Sequence, residues 1–564
     1  MKERVRVMGM MFVYAAIVAL VATAIIVPLK KPESFSTKQQ VTAALVIFGI
    51  AFIATAITIY VTKTDMNWHA FWPVIVAGTL IGAAFSKGKE QMVKSLLFVG
   101  SLGVVGYLFA APIFNADDKF ESAQMNEGVE IQPFDETKTP ASVPPQFAEN
   151  KMKKSFSQVP NTSFYELGNL QIQKVNGEYV YIAPVEFSGF FKWWNGETTP
   201  GYFMLSATDS SANPKFIESE MAYVPSAYLN SDLERYMRLH YPTLVFNGDA
   251  QLEVDEDGKP YYIRTYGQFI SARDGFDAQG IVVVDAATGE TSKFELEDVP
   301  AFIDGAISPE AVSLQNSYYG NYVHGYWNSK FGKKDVKLPS DEGTEANVSP
   351  IFDENGDMYY FTDFTSPKEG VDSMLGYALT NARTGEATYY TGNTAEAYMD
   401  SRGALNIVER QFVEKEWEGE MPILYNFYGE ASWLTAVLDT NGFLQNYFIV
   451  SASNPEISAF ATTPNEALRL YRTALSRGGG TVDGASNAEE ANVTGTVSRV
   501  YKERSGDYTI VSFLLQDGTN YIVSSESVPL SIYLQQGDNV DITYAATGEQ
   551  FLPVKALVIQ GLTP

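Results

Sequence analysis

The sequence predicts an α-helical membrane domain, then tandem α+β units of antiparallel hairpins with helices, then a small β-barrel. Three observations carry this. Four apolar runs crowd the first 113 or so residues, a hairpin-and-helix pattern recurs from about Ser163 to Arg477, and strand candidates at short intervals fill the last 74 residues, 491–564. At 564 residues the chain is too long for one hydrophobic core.

The runs are Val7–Val27, Val41–Val61, Ala70–Phe85 and Leu96–Phe114. Each approaches the roughly 20 residues that cross a bilayer, and none holds a charge, so residues 1–114 are expected to be a four-helix transmembrane domain. A cleaved leader accounts for one run but not four. Gly78, Gly82 and Ser86 form a small-residue stripe on the third run that offers a packing face and a route to oligomers. The spans carry almost no ionisable groups, which argues against a transport path. An even number of spans puts both chain ends on one side. Lys30, Lys31, Lys38, Lys87, Lys89 and Lys94 outnumber Lys2, Arg4, Arg6 and Lys63, so the positive-inside rule places both ends outside the cytoplasm.

The net charge of −27 conceals an asymmetry: residues 1–113 carry +6, and the remainder −33. Such an acidic surface repels phosphate backbones, which excludes nucleic acid as the expected partner. Without cysteine there are no disulfides, thiolate nucleophiles or iron–sulfur ligands.

Residues 115–162 are rich in Pro, Asp, Glu, Gln and Ser and read as an acidic tether, with a short amphipathic helix over Phe147 to Phe156. From 163 to 477 four units follow. Each opens with a glycine turn, at Gly177, Gly258, Gly356 and Gly429, continues through a second hairpin at Gly201–Phe216, Gly280–Phe294, Leu375–Tyr390 and Leu434–Val450, and leads into a helix. Asn-Gly or Asp-Gly in three of the opening turns suggests two-residue reversals at positive φ. Helix starts are marked by Ser308-Pro309-Glu310, Asn393-Thr394-Ala395-Glu396 and Thr463-Pro464-Asn465-Glu466. One such unit leaves an apolar sheet face bare, so the units are expected to stack. A Gly/Ser/Asn linker over 478–490 leads to residues 491–564, whose five strands with an insertion between the third and fourth fit an OB-like barrel.

The pattern Gly280-Ile-Val-Val-Val-Asp285-Ala-Ala-Thr288-Gly289-Glu290 resembles PepSY-type modules. The runs Lys192-Trp193-Trp194-Asn195, Arg238-Leu239-His240-Tyr241-Pro242 and Tyr319 to Asn328 also resemble a widespread, uncharacterised family of membrane-anchored proteins from Gram-positive bacteria. The resemblance spans about 163–475. It implies an α+β fold and a cell-envelope setting, and brings no catalytic residues.

Two features are candidate sites. Asp353, Asn355 and Asp357 space their oxygens like the opening of a calcium loop, but Met358 and Phe364 stand where an EF-hand has Gly and Glu; a hairpin turn is the competing reading. Phe190, Phe191, Trp193 and Trp194 crowd a segment whose first reading is burial between units, the other being a partner groove or glycan-stacking surface. Of the three histidines, His69 lies at a membrane edge, His240 reads as a helix-end residue and His324 as packed or stacked among aromatic rings. Walker loops, dinucleotide fingerprints and nucleophile elbows are absent, and no cofactor is implied. The sequence therefore reads as a non-enzymatic, membrane-anchored envelope protein that binds or scaffolds envelope or membrane proteins. The alternatives are a regulator of an envelope protease and a hydrolase that uses carboxylates in a cleft between units.

Overall fold

The structure is a computed structural model that describes residues 2–29, 36–129, 143–353, 355–368, 370–392, 397–478, 490–505, 508–525, 528–545 and 551–562. The chain divides into two compact units: Met1–Glu130, Thr139–Ile423 and Ala436–Gln445 in one, and Ile131–Lys138, Leu424–Thr435 and Asn446–Pro564 in the other.

The first unit begins with helices α1 (Lys2–Ile26), α2 (Thr37–Thr62), α3 (Trp72–Phe85) and α4 (Gly88–Phe114). Together with the 3₁₀ turn Trp68–Phe71 ahead of α3, they supply four segments long and apolar enough to cross a membrane. Ser36 opens α2 with a capping box, its side chain accepting from the Gln39 N–H while the Gln39 side chain accepts from its own. The small-residue stripe on α3 is used inside the chain. Gly78 and Gly82 are buried against Ile25 of α1, and a Cβ on Gly82 would strike the Ile25 carbonyl, so this face is an internal packing seam rather than the free route to oligomers expected there. Lys94, read as a loop charge, lies within α4, is 6% exposed and pairs with Glu90 at 2.8 Å. Its Nζ donates to the Val27 carbonyl at 3.1 Å, so it caps the end of α1.

The segment expected as a tether is built into the fold over most of its length. Helix α5 (Ala116–Ser122) and strand β1 (Asn126–Gly128) follow α4, and helix α6 (Pro145–Lys154) buries Phe147, Ala148 and Met152 in the main core. Its apolar stripe at i, i+1 and i+5 outweighs the polar composition that suggested a tether. The remainder, 130–142, lies outside the described residues.

Three modules then repeat one topology. The first has β2 (Tyr165–Leu167), β3 (Gln171–Val175), β4 (Glu178–Phe187), helix α7 (Phe190–Gly196), β5 (Thr199–Ser206), β6 (Lys215–Met221) and helix α8 (Leu233–His240). The second has β7 (Val245–Phe246), β8 (Gln251–Val254), β9 (Pro260–Gln268), β10 (Asp277–Asp285), β11 (Thr291–Glu295) and helix α9 (Pro309–Asn321). A short helix α10 (Gly325–Trp327) precedes the third, which has β12 (Leu338–Pro339), β13 (Ser349–Phe352), β14 (Met358–Thr365), β15 (Met374–Asn381), β16 (Ala387–Tyr390) and helix α11 (Ser401–Gln411). In each, the long strand β4, β9 or β14 carries two short strands end to end on one edge and a hairpin partner on the other. Strand β1 adds to the third sheet, parallel to β16.

Stacking of the modules explains why their central strands are apolar on both faces. Val282 and Val284 of β10 share a core with Val180 and Ile182 of β4 and Met237 of α8, while Ile281 and Val283 point the other way, onto Val299, Ile303 and Ala306. Each such side chain contributes about 1.5–3 kcal/mol by leaving water.

A fourth meander, β17 (Glu418–Phe427), β18 (Glu430–Leu438), β19 (Leu444–Ser451) and β20 (Ser458–Ala461), is ordered in sequence and leads to helix α12 (Pro464–Gly478). Two of the three helix-start signals sit where they were expected. The Ser308 side chain accepts from the Ala311 N–H at the start of α9, and Thr463 accepts from Glu466 at the start of α12. The box at 393–396 lies outside the described residues, and α11 starts at Ser401 with Asp400 accepting from the Gly403 N–H at 2.9 Å.

The opening turns are of two kinds. Asn176-Gly177 and Tyr428-Gly429 have both residues at positive φ, as two-residue reversals require. In Asp257-Gly258 and Asn355-Gly356 only the glycine has positive φ, which corrects the expected two-residue form. There Asp255 and Asp353 each accept two backbone N–H groups, from Asp257 and Lys259 and from Asn355 and Asp357; Asp439 does the same for Asn441 and Phe443.

In the second unit, β21 (Glu490–Ser505), β22 (Tyr508–Leu515), β23 (Asn520–Ser524), β24 (Asn539–Ala545) and β25 (Phe551–Ile559) close a barrel in the order β21-β22-β23-β25-β24. A 3₁₀ turn, Pro529–Tyr533, lies between the third and fourth strands. Val511, Phe513, Tyr521, Val540 and Ile542 fill the barrel. The linker read at 478–490 falls almost entirely outside the described residues.

Candidate functional site

At the calcium candidate, the Asp353 carboxylate bonds within its own turn. Asp353 Oδ1 accepts from the Asn355 and Asp357 N–H groups at 2.9 and 2.8 Å, and Oδ2 accepts from the Asn355 side chain. Among the described residues no group of three His, Cys, Asp or Glu is arranged to hold a metal ion. Asp353→Ala is expected to lower unfolding free energy by about 1 kcal/mol through loss of these bonds, equally in calcium and in chelator, as measured by denaturant titration.

The aromatic set is split by the structure. Helix α7 leaves Phe191 77% and Trp194 60% exposed, with Phe190 at 38%, whereas Trp193 packs against the core shared by the first two modules. Phe190 is the hub, with ring centres 5.4 Å from Phe191, 5.9 Å from Trp194 and 5.1 Å from Tyr228. Tyr228 leads directly to the membrane helices. Arg235 donates to the Leu229 carbonyl at 2.6 Å and to the Tyr60 carbonyl at 2.9 Å, and Tyr60, near the end of α2, donates to Asn230. The exposed rings therefore border the place where α2 leaves the membrane.

A latch that sequence reasoning missed fixes this geometry. The loop joining α2 to α3 docks on the second module and on α8. Asp65 takes Arg273 bidentately at 2.8 and 3.1 Å, and Arg273 also meets His69 Nδ1 at 2.9 Å. Lys63 bridges Asp232 and Glu234 at 3.0 and 2.9 Å, while Arg238 donates to the Lys63 carbonyl at 2.8 Å. The Met66 N–H donates to the Pro242 carbonyl at 2.7 Å. Burial acts to raise the Asp65 pKa, but the hydrogen bonds and charge of Arg273 outweigh it and hold the carboxyl below 3.8. Past α4, Lys119 reaches Asp274 at 2.7 Å, so α2 and α4 open on the same side. The other histidines are engaged locally: His240 Nδ1 lies 2.8 Å from the Tyr236 carbonyl, and His324 Nε2 lies 2.8 Å from Asp335.

A cleft of about 350 Å³ lies where turns of the three modules converge, lined by Lys174–Gly177, Val254–Glu256, Asp304, Gly356–Met358 and Arg383 among others. Arg383 donates to the carbonyls of Val299, Ala301 and Ile303 and so shapes the wall. The Asp304 carboxyl accepts from the Lys174 N–H at 2.6 Å, and burial raises its pKa to about 6. Beneath it Glu253 is raised to about 8 by burial and by the Asp304 charge, and it accepts from the Asp304 and Gly305 N–H groups. Burial thus favours the protonated form of both acids, and both also fasten the loop around Asp304. Nothing local in the sequence separates them from the other 65 acids: in Gln251–Val254 the polar Gln251 and Glu253 alternate with Leu252 and Val254 as in a half-exposed strand, although all four are buried.

No family model and no curated protein matches the chain. Among solved structures, it is similar to a protein solved as an RGII complex, with 9% identity, TM-score 0.17 and coverage of 67% of this protein and 94% of that one. It is also similar to a glycoside hydrolase with the same figures and to a B. megaterium levansucrase, with 11% identity, TM-score 0.18 and coverage of 79% of this protein and 96% of that one. Likeness at that level carries no inference about fold or chemistry here.

Proposed function

We propose that the chain is a membrane-anchored, non-enzymatic scaffold whose modules hold a membrane or envelope protein against the exit of α2. The modules are read as PepSY-like from their strand-and-helix repeat, and the barrel as OB-like from its strand order and its parallel β23–β25 pair. The observation that carries the reading is the α7 surface: three large rings, 38–77% exposed, held beside the membrane by the Tyr60–Arg235 contacts. A photo-crosslinking residue at Phe191 in the full chain, expressed in its own membrane, should give one discrete adduct that Trp194→Ala abolishes. No adduct would sink the reading. The positive-inside count supports a large acidic part outside the cytoplasm, where protease added to intact cells should reach it.

The raised pKa values of Asp304 and Glu253 favour a second reading, a carboxylate-dependent hydrolase in the cleft. Against it, both Glu253 oxygens already serve backbone N–H groups. A peptide or glycan hydrolysis that disappears in Asp304→Asn while the Phe191 adduct persists would favour the enzyme. Regulation of an envelope protease remains a special case of the scaffold, with the protease as the crosslinked partner.

A further inference from the structure

A second exposed cluster stands at the other membrane exit. Helix α10 packs against α4 and α5, and a Cβ on Gly325 would lie 3.1 Å from Asp117 of α5, three residues past the end of α4. This places Gly325–Trp327 beside the C-terminal end of a membrane span, with residues 328–334 following directly. Trp327 and Phe331 are 61% and 79% exposed, one turn apart, and their rings stack at 5.8 Å and 13°. Two large rings side by side in water are a poor use of surface unless something covers them.

The charge at this place runs against the rest of the chain. Lys330, Lys333 and Lys334 are exposed, and residues 325–334 contain no acid, in a region that carries −33 beyond residue 113. Exposed aromatic rings among lysines are the composition of a segment that lies in the headgroup zone of an anionic bilayer.

The segment is also held in a defined shape. Residues 328–332 form a π-turn, the Asn328 side chain both donates to the Lys334 carbonyl and accepts from its N–H, and Lys333 sits at φ 54°. A lysine held in the left-handed region is costly, and here it turns the chain so that rings and lysines protrude together.

We infer that residues 325–334 are an interfacial anchor: Trp327 and Phe331 enter the headgroup zone of the bilayer that α4 spans, and Lys330, Lys333 and Lys334 bind its anionic headgroups. The occupant is lipid because the cluster is continuous with a membrane-crossing helix and its charge is opposite to that of the chain. This anchor is separate from the α7 surface, and its test does not depend on any protein partner.

The full chain in nanodiscs of phosphatidylcholine with phosphatidylglycerol provides the test. The fluorescence difference between the protein and Trp327→Phe isolates Trp327, and this component should be quenched by lipids brominated near the headgroup and shielded from aqueous iodide. A difference taken with Trp417→Phe should show no bromolipid component. Lys330→Glu, Lys333→Glu and Lys334→Glu together should bring the Trp327 quenching down to its level in pure phosphatidylcholine, with an effect of about fivefold in anchor occupancy per lysine. Iodide quenching of Trp327 without bromolipid quenching would overturn the anchor. Shielding from both quenchers would mean a protein covers it and would overturn it equally. Unchanged quenching in the triple variant would remove the anionic headgroups from the proposal.

Discussion

Asp65→Ala will undock the membrane helices from the second module. Arg273 loses both of its carboxylate contacts, and its guanidinium is left facing His69 and the edge of the membrane with no counter-charge. Asp65 is 6% exposed, so this is the loss of one partner from a buried pair, which costs about 3 kcal/mol where solvent reaches one side. Hydrogen exchange should rise at 63–71 and 269–274 and stay unchanged in the barrel. The exchanged pair Asp65→Arg with Arg273→Asp should recover part of the protection, since the charges again face each other. Protection left intact in Asp65→Ala would show that the Lys63 and Arg238 contacts hold the loop unaided. Because the folded Asp65 pKa is depressed, its contribution is fully present above 3.8 and is lost as pH falls through the lower, folded value.

The whole chain is expected to be more stable at pH 5 than at pH 8. Burial raises Glu253 from 4.5 to about 8, Glu345 and Glu420 to about 7, and Asp363 from 3.8 to about 6. Below its unfolded pKa each group is protonated in both states and costs nothing. As pH rises toward the folded pKa, only the unfolded chain gains by ionising, at about 1.4 kcal/mol per pH unit for each group in its window. Unfolding free energy should therefore drop by several kcal/mol between pH 5 and pH 8, read as a lower guanidinium midpoint. Glu253→Gln should flatten the slope between about pH 5 and 8. Equal midpoints at the two pH values would mean that these carboxyls ionise as readily folded as unfolded.

The helices and repeats are legible in the sequence because they rest on local physics. Uncharged runs of helical length, alternating apolar strands and glycine turns declare themselves residue by residue, and the closed barrel follows from five strands with an insertion after the third. What the sequence conceals is whatever needs two distant segments to meet. Asp65 and Arg273 are 208 residues apart, and neither sits in a motif. Asp304 and Glu253 acquire their properties from a loop folded over a strand of the same module. The expected tether departs from the structure for a related reason. Composition reports the mean polarity of 115–162, but Phe147, Ala148 and Met152 need only one stripe of α6 to bury it. The aromatic segment stands out in the sequence, yet its division into exposed Phe191 and Trp194 and inward Trp193 depends on the axis of α7.

The docked loop of residues 63–67 joins two membrane helices directly, and it also holds the second module through Arg273 and the link between the first two modules through Pro242. It is a short crank with almost no slack. A rotation of the second module by a few degrees would tilt α2 and α3 together, and α3 would press on α1 along the glycine seam, where Gly82 already touches the Ile25 carbonyl. A continuous run of contacts thus joins the modules to the opposite end of α1, where Lys94 pairs with Glu90 and donates to the Val27 carbonyl.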